Sequence, residues 1–360
     1  MNKLFAFAVP VVSAAMLSGC IGFSEPAELS GPQQHLVSIS RDPRSAAATH
    51  YAEGLKAAGD PDFVDPQTGL TPLEHAAHLS DIEKMTLLLK AGADPAYKDL
   101  SGGTVLHFAA SLYDTAPLEL LLKHTKNPDP ADKLGKTPLM EAARLGNIDA
   151  VKVLLDAGAS LKIKDKMRRV PLSFAASARK HSLEMVKLLL EHGADRAVYD
   201  DKGCTPLFHA IDYGNTGTAL YLLSLLPDFN LKEPTDLIGF LAMKHAVFAG
   251  NETVVRQIIG KKLVLNSDLS LVYKGMTIAN IEGLHELLAV NNVIADGKTP
   301  LFWAAEAEQV EIIKILAEAG ADVNGRDNAG NAPVHYARQY QTIKTLNNLS
   351  AERKRERQKN

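Results

Sequence analysis

Seven times along the chain a short phrase returns in nearly the same form, and its spacing restricts the possible folds more than any other feature. It reads GLTPLEHAA from Gly69, GGTVLHFAA from Gly102, GKTPLMEAA from Gly135 and RRVPLSFAA from Arg168. It returns as GCTPLFHAI from Gly203, GKTPLFWAA from Gly297 and GNAPVHYAR from Gly330. Its third positions, 71, 104, 137, 170 and 205, lie 33, 33, 33 and 35 residues apart, and positions 299 and 332 lie 33 apart. A second phrase follows in phase: LLLKAGADP at Leu87, VLLDAGAS at Val153, LLLEHGAD at Leu188 and ILAEAGADV at Ile315. A fixed period in this range marks stacked helical or mixed units. Thr suits the N-cap of a first helix, and Pro suits its first turn, where a missing N–H costs nothing. The Leu and the Ala pair are expected to pack inward. The Leu-rich phrase reads as a second helix, ended by a Gly in the left-handed conformation. One such unit cannot bury its apolar face alone, so it must stack on neighbours.

Over residues 38–350 the two phrases resemble the ankyrin repeat, with its T-P-L-H-x-A signature and a period of about 33 residues. The resemblance implies an all-α solenoid of helix-turn-helix repeats. His107 and His335 stand at the T-P-L-H histidine, which in that family hydrogen-bonds within the turn network. Asp132, Asp165, Asp200 and Asp327 stand at the turn that leads into the next repeat. Two stretches depart from the pattern. The segment from Gly239 keeps Ala and Gly-Asn but loses Thr-Pro, and the segment from Gly275 meets a new repeat start at Gly297 only 22 residues later. A shortened helix is expected there, with irregular stacking between about residues 228 and 293. Ser45 to Ala58 reads as a degenerate N-terminal cap. Gln341 onward reads as a C-terminal cap, running into a solvated charged tail at residues 351–360.

The first nineteen residues read as a signal peptide: Lys3, an apolar run from Leu4 to Leu17, then Ser18-Gly19. The run is too short to span a bilayer, which takes about 20 apolar residues. Leu17-Ser18-Gly19-Cys20 resembles the lipobox of bacterial lipoproteins. That resemblance implies cleavage before Cys20, acylation of its thiol and amine, and a lipid anchor in the cell envelope. Two or three acyl chains, at about 0.8 kcal/mol per buried CH₂, hold a protein stably on a membrane. Ile21 stands where an Asp favours inner-membrane retention in enterobacteria, so the expected location is the outer membrane facing the periplasm. Residues 20–37, with Pro26 and Pro32, read as the lipidated Cys and a tether.

The chemistry-bearing residues favour binding over catalysis. The net charge of −3 argues against whole-molecule attraction to nucleic acid. LGKTP at Leu134 and DGKTP at Asp296 are half of a phosphate-binding loop, but the first Gly that loop needs is replaced by Pro130 and Asn292. Nucleotide binding is therefore excluded. His75 and His78 lie three apart on a predicted helix without a third metal ligand near them in sequence. Cys20 and Cys204 are the only cysteines, and Cys20 is assigned to lipid, so no structural disulfide is expected. No catalytic residue, metal or cofactor is assigned.

In the ankyrin family the partner usually binds the concave face, built from turn tips and first helices. The matching positions here are Lys133, Leu134, Lys136, Arg144 and Leu145, then Lys166, Met167 and Arg169, then Asp212 and Tyr213. With Arg168, the middle of this set forms a basic patch interleaved with apolar side chains, suited to an acidic, partly apolar protein surface. The implied function is a membrane-anchored scaffold for a protein partner. Ankyrin-repeat lipoproteins stand beside antibacterial lipase effectors of type VI secretion, which implies an immunity protein against a secreted effector as one alternative. An envelope assembly or enzyme-protecting factor is another.

Overall fold

The computed structural model describes residues 30–31, 33–34, 54, 56–65, 68–226, 234–261 and 297–359. Among these the fold is helical, with no strand. Cys20 and the signal peptide lie outside the described residues. So do most of the Ser45–Ala58 cap and the segment from Gly275 to the repeat start at Gly297. The chain divides into two compact units: Met1–Lys133 with Asp156–Gly158, and Leu134–Leu155 with Ala159–Asn360.

The first unit contains α1 (Pro72–His78), α2 (Ile82–Lys90), α3 (Val105–Ser111) and α4 (Ala116–His124). First helix packs on first helix and second on second, as a repeat stack requires. The phrase explains the starts. Thr71 Oγ1 accepts from Glu74 N at 3.3 Å while Glu74 Oε2 accepts from Thr71 N at 2.8 Å, a complete capping box. His107 does the same work for Thr104, with Nδ1 accepting the Thr104 N–H at 3.1 Å.

The second unit contains α5 (Pro138–Leu145), α6 (Ile148–Asp156), α7 (Pro171–Ala176), α8 (Ser182–Glu191), α9 (Pro206–Asp212) and α10 (Thr216–Ser224). It continues with α11 (Pro234–Phe248), α12 (Glu252–Gly260), α13 (Pro300–Glu306), α14 (Val310–Glu318), a 3₁₀ turn at Pro333–His335 and α15 (Tyr340–Lys359). The paired alanines, Ala142 with Ala143, Ala175 with Ala176, and Ala304 with Ala305, have no exposed surface. Small side chains there let first helices approach closely. Ala142→Leu should therefore destabilise by about 1–3 kcal/mol through overpacking. Thr137→Ala should cost only about 1 kcal/mol, the worth of an N-cap; Thr137 Oγ1 accepts from Met140 N at 3.4 Å. A urea titration that ranks the two the other way would place the alanine outside the stacking core.

The irregular region takes a form the sequence does not announce. α11 runs for 15 residues, where other first helices have six to eight, because helix replaces the turn that opens a regular repeat. The repeat of α13 and α14 then packs directly on that of α11 and α12, with Phe240 edge-on to Trp303 at 4.8 Å between centroids. The shortened helix expected from Gly275 lies outside the described residues. At the other end the charged tail is helical, and its described side chains are exposed apart from the half-buried Arg353. α15 continues to Lys359 and packs on α14, and Arg353 Nη2 donates to the Ala317 carbonyl at 2.8 Å. Its charged residues extend the helix that closes the stack and buries its own Leu346.

Candidate partner-binding surface

Each turn tip is organised by one aspartate. Asp165 Oδ1 accepts from the backbone N–H of Met167 at 2.9 Å and of Arg169 at 2.8 Å. Asp200 Oδ1 does the same for Lys202 at 2.9 Å and Cys204 at 2.8 Å, and Asp327 for Ala329 and Asn331. In the first unit Asp99 holds Ser101 and Gly103. Successive tips are then tied by backbone bonds. Lys166 N donates to Leu134 O at 2.8 Å and Asp201 N to Met167 O at 3.0 Å in the second unit. Lys133 N donates to Ser101 O at 2.9 Å in the first. Close stacking favours glycine at the second residue before the Thr position: at Gly297, with φ +79°, a Cβ would come within 2.7 Å of Asn328 N. Arg168 occupies that place in its own repeat with φ +61°, a left-handed conformation that L-residues adopt at a cost of roughly 1–2 kcal/mol.

The second oxygen of the turn Asp reaches forward to the fourth residue after the Thr position. His75 Nε2 lies 3.3 Å from Asp65 Oδ2, His209 Nε2 lies 3.0 Å from Asp200 Oδ2, and Tyr336 donates its hydroxyl to Asp327. Burial opposes the charge on Asp200, but His209 and the backbone N–H groups of Cys204 and Lys202 outweigh it and hold the carboxyl below its ordinary pKa. His75 is thus a turn brace, and His78 stacks on Phe108 at 4.4 Å.

This bracing rule corrects the expected basic patch. In the repeat of Asp165 the bracing position is Phe174, which has no hydrogen-bonding group. Arg169 supplies the missing brace: Nε and Nη2 donate to Asp165 Oδ2 at 2.9 and 2.7 Å, and its guanidinium lies 4.5 Å from the Phe174 ring centre. Arg169 is half-buried and structural, where a free turn-tip charge was expected. Arg144 is exposed, yet Nε donates to Glu141 Oε2 at 3.0 Å and Nη2 binds the other oxygen. Two charges of the patch are therefore matched at home. Lys136 and Leu145 are half-buried, and Lys166 is exposed. Lys133 is exposed in the first unit, with Nζ donating to Leu100 O at 2.8 Å.

The tips also expose apolar side chains. In the second unit Leu134 is 55% exposed, Met167 44% and Tyr213 64%. Leu134 and Met167 stand at the same place in adjacent repeats, and the backbone bonds that tie their turns set them in a row. The first unit exposes Leu100 and Tyr113. Asp212, expected as a surface contact, is exposed but paired: its Oδ1 lies 2.8 Å from His245 Nδ1. Sequence reasoning overlooked His245. It stands at the bracing position of its own repeat, but α11 replaces the turn there, and the imidazole turns to Asp212 and stacks on Phe208 at 4.7 Å. Cys204 is half-buried beside them. Burial, then the Asp200 and Asp212 carboxylates, push its thiol pKa up to about 12.

No described helix is long and apolar enough to cross a membrane. The family model for ankyrin repeats matches residues 73–165, 160–233 and 271–356, more than half of the chain. Over 190 residues the chain is 28% identical to an ankyrin repeat protein of Fowlpox virus (strain NVSL), a match covering 45% of this chain and 32% of the relative. It is 30% identical over 179 residues to an L-asparaginase of Dirofilaria immitis, covering 46% and 29%. It is 28% identical over 154 residues to a mitochondrial disaggregase of Bos taurus, covering 39% and 22%. The chain thus spans about a third or less of the length of these relatives. The chain belongs to the ankyrin-repeat family, whose repeats form scaffolds for protein–protein interaction.

Proposed function

We propose that this chain is a lipid-anchored scaffold that recognises one protein partner in the bacterial cell envelope, through its turn tips, and performs no chemistry itself. The observation that carries the reading is the row of exposed apolar side chains at Leu134 and Met167, set on turns that aspartates and inter-repeat backbone bonds hold rigid. Exposed apolar groups on a preorganised backbone lose little entropy on binding, which favours recognition. The partner's complementary surface is then an apolar ridge, rimmed by acceptors for Lys166. The anchor is supported by the N-terminal sequence ending Leu17-Ser18-Gly19-Cys20, and Ile21 supports the outer membrane facing the periplasm.

Two experiments test the two halves of this reading. Capture from detergent-solubilised envelopes should recover a partner with the wild-type chain and lose it when Leu134 and Met167 are made polar. Recovery of the same protein by both would remove the turn tips from recognition. For the anchor, cells fed a labelled fatty acid should label the wild-type chain and leave Cys20→Ser unlabelled. Undiminished label on the Ser variant would end the lipoprotein reading.

A further inference from the structure

We propose that Cys204, Asp212 and His245 form a binding site for a zinc-type divalent cation at the turn face of the second unit. One ligand atom from each residue lies within 4.8 Å of the other two. The three come from separate elements: Cys204 from the turn before α9, Asp212 from the last residue of α9, and His245 from α11. Sulfur, imidazole nitrogen and carboxylate oxygen together are a characteristic zinc donor set, at about 2.3 Å to sulfur and 2.0–2.2 Å to nitrogen and oxygen. Tetrahedral bonds of those lengths place ligand atoms roughly 3.3–3.6 Å apart. Closing from 4.8 Å takes side-chain rotation, with the backbone left in place.

The surroundings suit a cation. His245 is held by its stack on Phe208, at 4.7 Å and 15° between planes, so one ligand is already oriented. Asp212 is already within 2.8 Å of it. Asp200 and Asp201 add negative charge around the cysteine, opposed by Lys202. The metal would bind the neutral imidazole at Nδ1 with the ring proton on Nε2, taking the place of the hydrogen bond between His245 and Asp212. Cys204 would release its thiol proton to solvent as the sulfur–metal bond forms, so binding liberates a proton. Three protein ligands leave a fourth position open, facing the surface where Asp212 and Tyr213 are exposed. Water or a side chain of a bound protein can complete it.

The test uses the full chain without a polyhistidine tag and with Cys20→Ser, so that Cys204 is the sole thiol. Titration with cobalt(II) should reach one equivalent with a thiolate-to-cobalt charge-transfer band, which zinc(II) then bleaches. Adding Cys204→Ser should remove the band. His245→Gln and Asp212→Asn should each weaken binding at least about tenfold, while far-ultraviolet circular dichroism stays unchanged. Zinc should also raise the thermal midpoint of the parent and leave the Cys204→Ser variant where it was. Absence of the band at saturating cobalt would overturn the site. So would affinity equal to the parent's in the His245→Gln and Asp212→Asn variants.

Discussion

Arg169→Glu is expected to destabilise the second unit by about 3–5 kcal/mol, the range for leaving a buried charge without its partner. Asp165 has almost no exposed side-chain surface, and Arg169 donates two hydrogen bonds to its Oδ2. The substitution removes those bonds, removes the cation from the Phe174 ring and sets a second carboxylate beside the first. Arg169→Met keeps most of the packing on Phe174 and should cost less, roughly 1.5–3 kcal/mol for hydrogen bonds to a charged group. Lys166→Glu, three positions away on an exposed tip, should stay within about 0.5 kcal/mol of wild type. Urea titrations of the three variants, followed by helical circular dichroism, give the ranking. Equal midpoints for Arg169→Glu and Lys166→Glu would show that the ion pair does not hold the turn.

The same contrast shows how far the sequence could be read. The repeat phrase reports its own physics: Pro starts the first helices, Ala pairs pack, and Thr stands at their N-caps, with a side-chain cap bond at Thr71 and Thr137. Helix identity and stacking partners were legible for that reason. The bracing position was not, because its rule lies in a correlation between two places nine or ten residues apart. His75, His209 and Tyr336 obey it with different chemistry, and Phe174 breaks it. Only when Phe174 is seen facing Asp165 does the extra Arg169 acquire a reason. His245 was hidden by the same logic. Its repeat begins with helix instead of a turn and has lost Thr-Pro, and its partner belongs to the preceding repeat. The direct packing of α13 on α11 was hidden because residues 262–296 interrupt the period, and a period cannot tell an inserted segment from a shortened layer.

Replacing Leu134 and Met167 together by Asp is expected to weaken partner capture by more than about a hundredfold and leave the fold unchanged. Buried anchors at interface centres are worth about 2 kcal/mol or more each, roughly thirtyfold, although such losses do not add fully. Both side chains are exposed in the unbound chain, so their loss removes little from its own core. Asp also forces a charge into what must become a desolvated contact. Charge reversal at Lys166 should behave differently. An exposed cation at the rim acts mainly on association rate, so Lys166→Glu should slow binding and flatten its salt dependence while dissociation changes little. Arg169 must be left out of any such set, since losing it loosens a turn and would imitate lost recognition. Surface-plasmon measurements on the captured partner separate the two effects. If the double Asp variant dissociates at the wild-type rate, the apolar tips are solvated surface. If only Lys166→Glu impairs binding, through faster dissociation, recognition is carried by charge after all.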